Sequence, residues 1–288
     1  MSLPIFICVI SAFFWALFDL TRKLSLNHIN PKVLLILFSL IQTGIFSFWC
    51  IKESFFLKIS SYLIPGVSLI FLGIISALFF LKSIKESDLS LTIPLLSFSP
   101  LFSSIFSLFL LNEKLNYIQY IGILLIIFGT LILYSKKFKI SYILKSITNI
   151  RNSLSAKLMI FVAFCWSLTP ILDKICLENS SINIHGFIQA FFTFFILLFF
   201  SRSDFKILAR LKIKYILIIF FTILIGSFAT ILQFYAILVN FVPIMESIKR
   251  AVGQFSAVIF GKIFFNEEIS KQKIIGVLII TLGVNTLV

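Results

Sequence analysis

Ten apolar runs follow one another along the chain, roughly residues 3–20, 33–51, 63–81, 89–111, 117–134, 158–175, 182–200, 215–239, 241–265 and 274–288. Most approach the about 20 residues that a helix needs to cross a bilayer. Inside lipid every backbone N–H and C=O must be satisfied by the protein, and a helix does this within one segment. The pattern predicts an all-α integral membrane protein with ten transmembrane helices. Composition agrees, because only 12% of the residues are charged, against about a quarter in a soluble domain. A net charge of +14 raises the question of nucleic acid. The bases sit between apolar runs and form no stripe on a soluble face, so they read as loop bias beside anionic lipid. No nucleic-acid partner is expected. The first run lacks an A-x-A-like cleavage site and reads as a span. Cys8, Cys50, Cys165 and Cys176 form no CxxC or Cys/His cluster; mid-run they act as small apolar fillers, and no metal or cofactor is expected.

The runs come in two sets of five. Ala12, Phe13, Trp15, Leu17 and Lys23 recur as Ala163, Phe164, Trp166, Leu168 and Lys174, an offset of 151 residues. At the other end of each set, Asn112-Glu113 recurs as Asn266-Glu267, and Gly122 and Gly129 recur as Gly276 and Gly283. Two ordered blocks at nearly one offset indicate duplication. Five is odd, so the second copy is expected to enter the membrane upside down, as in the inverted repeats of secondary transporters. The copies cover 1–135 and 158–288. Between them, 136–157 carries six bases with apolar residues at helical spacing, which fits either a surface-lying amphipathic helix or a loose basic linker. By these boundaries 19 Lys and Arg lie in loops on one side of the membrane and four on the other. The bias puts the base-rich loops in the cytoplasm and both termini outside.

The ninth run holds Glu246, Lys249 and Arg250 inside a stretch long enough to span. A charged residue at mid-helix costs about 2.5–3.5 kcal/mol on insertion scales, so such groups face a protein interior or a watery cavity. Glu246 is i,i+3 from Lys249 and i,i+4 from Arg250, so one carboxylate can meet either cation and one positive charge is left over. Arg suits bidentate phosphate or carboxylate recognition, and Lys acts as a compact point charge. Neighbours on a helix point about 100° apart, so one cation can bind substrate while the other pairs with Glu246. Structural pairing of both is the alternative.

With these residues in place, the chain resembles the drug/metabolite transporter superfamily, in its ten-helix EamA type. Trp15 with Arg22-Lys23, its echo Trp166 and Lys174, the two Asn-Glu junctions and the paired glycines carry the resemblance, which spans nearly the whole chain. It implies two inverted five-helix repeats, a central cavity lined largely by helices 3, 4, 8 and 9, alternating access, and no covalent chemistry. Lys249-Arg250 also resembles the Lys-Arg pair of organophosphate translocators, where it holds the substrate phosphate. The GALNK signature of nucleotide-sugar carriers is absent. Those relatives are usually drawn with cytoplasmic termini, opposite to the charge bias.

The remaining candidates carry two readings each. Trp15 and Trp166 fit cavity lining or packing. Gln233, Tyr235 and Gln254 fit ligand binding or interhelical hydrogen bonds, and Gln233 and Tyr235 do not share a face. Asp19 and Asp173 read as solvated acids beside Arg22 and Lys174, with proton coupling as the alternative. Glu113 and Glu267 are expected to complement the N-termini of helices five and ten. Pro94, Pro100 and Pro170 are expected to bend their helices. The glycines, seven apart, suit close helix packing within one chain or in a homodimer. His28 and His185 are assigned nothing. The substrate-binding set expected is Lys249, Arg250, Glu246, Tyr235, Gln233, Trp15 and Trp166. The function expected is secondary transport of a small anionic metabolite across the bacterial cytoplasmic membrane, with an amino-acid or drug exporter as the alternative. A membrane enzyme lacks support, because no HExxH, nucleophile elbow or phosphate loop occurs.

Overall fold

The computed structural model describes residues 2–86, 95–134, 154–200, 211–265 and 269–287. Ten α-helices lie within them: α1 Leu3–Leu26, α2 Pro31–Lys52, α3 Ile59–Glu86, α4 Ser99–Leu110, α5 Tyr117–Tyr134, α6 Leu154–Glu178, α7 Ile182–Phe200, α8 Ile213–Val239, α9 Val242–Phe265 and α10 Lys271–Leu287. Six of them are long and apolar enough to cross a membrane, and the bulky side chains they expose, such as Phe71, Phe199 and Phe220, suit a lipid surround. The connecting segment 135–153 lies outside the described residues, as do Pro94, Asn266 and Glu267. Span four, expected from residue 89, is described from Leu95, with residues 95–96 helical, a turn at 97–98 and then α4 from Ser99. Pro100 stands in its first turn, where the missing N–H is harmless, so it starts the helix and does not bend it. Pro170, by contrast, is inside α6, and Pro65 is inside α3.

The helices pack mainly across the two halves. Chief pairs are α5 with α10, α1 with α8, α3 with α6, α2 with α7, α1 with α9 and α4 with α6. Exchanging each helix for the one five later leaves this pattern unchanged: α1–α8 becomes α6–α3, and α1–α9 becomes α6–α4. The duplication in the sequence is thus a symmetry of packing.

The α5–α10 seam follows from the glycines. A Cβ on Gly129 would lie 2.9 Å from the Gly276 carbonyl oxygen, and one on Gly283 would lie 2.7 Å from that of Gly122. Glycine permits backbones this close. The expected packing role is met within one chain. On α4 the small residues are serines: Ser99, Ser103 and Ser107 share a face at i,i+4 spacing and are fully buried, allowing α6 and α9 to approach.

At one end of the bundle, the α2–α3 and α6–α7 connections pair. Leu57 and Ser180 form an isolated antiparallel bridge, with Lys58 N–H donating to Asn179 (2.9 Å) and Ser181 N–H to Phe56 (3.1 Å). Glu113 works at the same end. Its carboxylate accepts from Lys174 Nζ at 2.6 Å and from Val242 N–H at 2.8 Å. It therefore caps α9, not α5 as its position in sequence suggests. The preceding residue, Asn112, has φ 55°, the left-handed turn that carries Glu113 across to α9. Lys174 also donates to the Asn240 carbonyl (2.9 Å), and the Asn240 side chain donates to that of Pro4 (3.1 Å).

Candidate functional site

A cavity of about 320 Å³ lies between α1, α2, α3, α6, α8 and α9. Its wall is built from the duplicated first helices. Trp15 of α1 and Trp166 of α6 occupy matching places and both line it. Each takes one of the ninth-helix cations: Lys249 Nζ lies 4.9 Å from the Trp15 ring centroid, and Arg250 Cζ lies 5.3 Å from that of Trp166. Such contacts stabilise a cation where water is scarce.

Behind the cations sits Glu246, fully buried. Its Oε1 accepts from Lys249 Nζ at 3.0 Å and its Oε2 from Arg250 Nη2 at 3.1 Å. Both cations therefore pair with it, which corrects the expected division of labour. Both also line the cavity. Gln233 Oε1 accepts a further bond from Lys249 at 2.9 Å, and Ser99 Oγ accepts from Arg250 Nε at 2.9 Å. These bonds use two of the three Lys249 donors and two of the five on Arg250. The rest have no acceptor among the described residues, and both residues line the cavity.

The helical spacing explains this aim. A carboxylate at position 246 reaches i+3 and i+4 together, holding both stems on one side of α9. One negative charge cannot cancel two positive ones, so the pair presents one net positive charge. Arg22 and Lys23 of α1 also line the cavity. Arg22 pairs with Asp19 at i,i+3 and lies over Phe80, 4.1 Å from its centroid. Asp19 is indeed half exposed beside Arg22, as the sequence predicted. Among the described residues, Arg22 pairs with Asp19, and Lys249 and Arg250 share Glu246.

Of the remaining expected residues, Gln233 joins the site and Tyr235 does not. Tyr235 is 42% exposed and outside the cavity lining, because two residues turn it away from Gln233. Gln254 lines the cavity at 2% exposure, and its Oε1 has no hydrogen-bond partner among the described residues. Sequence reasoning placed Arg22 beside Asp19 but did not assign it to the substrate site, whose wall it joins. The aromatic wall of Phe18, Phe38 and Phe80 had no readable signal, among the chain's 37 phenylalanines.

Asp173 differs most from its expectation. Lys174, the supposed neighbour, turns to Glu113. Asp173 is 8% exposed and bonds His185 Nε2 at 3.0 Å. His185, expected near a loop, is fully buried within α7. His28 stacks on Tyr215, with ring centroids 3.7 Å apart.

Comparison with known proteins gives a consistent frame. The EamA-like transporter family matches residues 2–135 and 153–288. A solved crystal structure of a protein superposes with a TM-score of 0.71 at 16% identity, covering 99% of this chain and 97% of that one. At that identity the likeness concerns the fold alone. No curated protein matches the chain.

Proposed function

The chain belongs to the EamA-like transporter family, within the drug/metabolite transporter superfamily, and its apolar helices make it a multi-pass membrane protein; from that premise we propose that it is a secondary carrier for a small anionic metabolite. The observation that carries this reading is the surplus of positive charge on the cavity wall, with donors of Lys249 and Arg250 left over after Glu246 is satisfied. A phosphate or carboxylate bound there accepts those donors and removes the imbalance.

Five helices per copy, joined by short connections, alternate in direction, so the second copy runs opposite to the first. The symmetric packing supports such an inverted pair rocking about the central site. Neither half is complete alone, which suits a monomer as the working unit. The membrane proposed is the bacterial cytoplasmic one. A second reading, transport of a zwitterionic amino acid, draws support from Asp19, a carboxylate on the same wall.

Ligand stabilisation of the detergent-purified protein tests the proposal, with phosphorylated metabolites, carboxylates, amino acids and cationic drugs as the panel. A ligand at about 100 times its dissociation constant stabilises by about 2.7 kcal/mol. Anions are expected to stabilise wild type and to lose the effect in Lys249→Ala. Stabilisation by zwitterions or cations alone, equal in both proteins, overturns the anionic reading in favour of the second.

A further inference from the structure

Beyond the floor of the cavity lies a second polar cluster that the site above does not use. Asp173 stands one turn past Thr169 and Pro170, which line the cavity. Its carboxylate meets His185 Nε2 at 3.0 Å, and His185 Nδ1 meets Tyr62 Oη of α3 at 2.9 Å. Gln189, one turn along α7 from His185, donates to Tyr62 Oη and to the Gly66 carbonyl, both at 3.2 Å. Three helices, α3, α6 and α7, are thus tied through one imidazole.

One assignment of the hydrogens in this chain satisfies every contact. The Gln189 amide donates to Tyr62 Oη, so Tyr62 has its own O–H free to donate to Nδ1. Nδ1 is then the acceptor of a neutral ring, and Nε2–H donates to Asp173. In that arrangement every bond is satisfied, yet Asp173 keeps a negative charge with no cationic partner among the described residues, since Lys174 is engaged by Glu113. A buried carboxylate without a counter-charge is costly, and one added proton removes the cost.

We propose that Asp173, His185 and Tyr62 form a proton-binding site whose occupancy unlocks the end of the bundle where α2–α3 meets α6–α7. The proton adds to Nδ1 and makes an imidazolium–carboxylate pair. Nδ1–H then points at Tyr62 Oη, which already accepts from Gln189. The Tyr62 hydroxyl turns its hydrogen away, the His185–Tyr62 bond reverses direction, and Nδ1–H displaces the Gln189 amide from Oη. The α3–α7 tie weakens directly beside the Leu57–Ser180 bridge, which joins the segment before α3 to the one before α7. Among the described residues, the titratable groups bonded to His185 are Tyr62 from α3 and Asp173 from α6, and Cys176 of α6 lies close to Tyr62. From α2 and α8 come only rings, Phe46 packed against neighbouring Gly186 and Phe234 edge-on to His185 at 4.9 Å.

The position matching Asp173 in the first copy is Arg22, paired with Asp19, so the two copies differ at this point. Phe234, against His185, follows Gln233, which holds Lys249. As the driving proton of a carrier, this site rests on the transport reading; as a proton-binding site it stands alone.

The test needs no substrate. The chain has two histidines, so a His28→Gln protein labelled with nitrogen-15 histidine and held in lipid nanodiscs reports His185 alone. Its ring nitrogens are followed from about pH 5 to about pH 8, the range over which imidazole changes charge in proteins. Hydrogen exchange at the Lys58 and Ser181 amides is measured alongside and corrected for its intrinsic pH dependence. The expected result is conversion to imidazolium on acidification, with exchange at both amides about five- to tenfold faster, the scale of one lost hydrogen bond. Tyr62→Phe, which has no hydroxyl to turn, is expected to keep the imidazole titration and lose the change in exchange. A ring that holds one neutral form throughout overturns the site. Titration without altered exchange overturns the unlocking. Failure of every ligand to stabilise the protein bears on the carrier reading and leaves these results unaffected.

Discussion

Removing the Glu113 carboxylate is the most informative single perturbation of the closed end. Glu113 and Lys174 are 5% and 12% exposed in their side chains and 2.6 Å apart, so solvent screens the pair poorly. Breaking a buried pair by deleting one partner costs about 3–5 kcal/mol, because the other charge stays buried. Glu113 also accepts from Val242 N–H at 2.8 Å, and losing a helix cap costs about 1 kcal/mol. Glu113→Ala is therefore expected to destabilise by about 4–6 kcal/mol. Glu113→Gln keeps an acceptor for α9 and is expected to cost about 1 kcal/mol less. Adding Lys174→Met removes the stranded ammonium, so the double variant Glu113→Gln/Lys174→Met recovers about 2–3 kcal/mol. Equilibrium unfolding in mild detergent, measured by steric trapping, gives all four values. Single and double effects that add within about 0.5 kcal/mol show that the two residues are not coupled, and the clamp argument then fails.

Other outcomes follow from the same geometry. Gly129→Leu forces a side chain into the α5–α10 seam, where a Cβ already lies 2.9 Å from the Gly276 carbonyl oxygen; thermal unfolding should show a loss of at least about 1–3 kcal/mol. Gly44→Ala, with nothing within 4 Å, should leave the melting temperature within about 1–2 °C and gains slightly from backbone entropy. Glu246→Gln leaves two buried cations without their carboxylate and should cost about 3–5 kcal/mol, with partial rescue by a bound anion in the same melting assay. Gly253→Leu, at a cavity-lining position with open space around its Cα, should fold normally and lose ligand stabilisation. Tyr235→Phe should change neither fold nor ligand response, and a loss of ligand response there would return Tyr235 to the site.

The ten helices, their duplication and the cationic centre of α9 were legible because lipid makes apolar length and buried charge unambiguous signals. Glu246, Lys249 and Arg250 meet because i,i+3 and i,i+4 spacing leaves little choice. What could not be read were contacts between distant segments. Glu113 precedes α5 in sequence and caps α9, since the left-handed Asn112 turn swings it across the bundle. Lys174 and Asp173 are neighbours with different partners because adjacent helical residues diverge by about 100°. His185 lay three residues inside an apolar run, and nothing local distinguished it from a residue at a helix end.

The packing across halves also sets the order in which this protein can be made. α1 leaves the ribosome first, yet its chief partners are α8 and α9, and α8 begins 210 residues after α1 does. At about 5–20 residues per second, α1 waits about 10–40 s in lipid before they arrive. Its charged residues tolerate the delay because Asp19 and Arg22 pair within the same helix, sharing the cost of exposure before any neighbour exists. α9 is synthesised late, with α1, α4, α5 and α6 already inserted, so its heavier charge load enters a prepared cleft and never faces the bilayer alone. The duplicated halves are thus interlocking parts with a fixed sequence of assembly, and two separately expressed halves should become stable only when produced together.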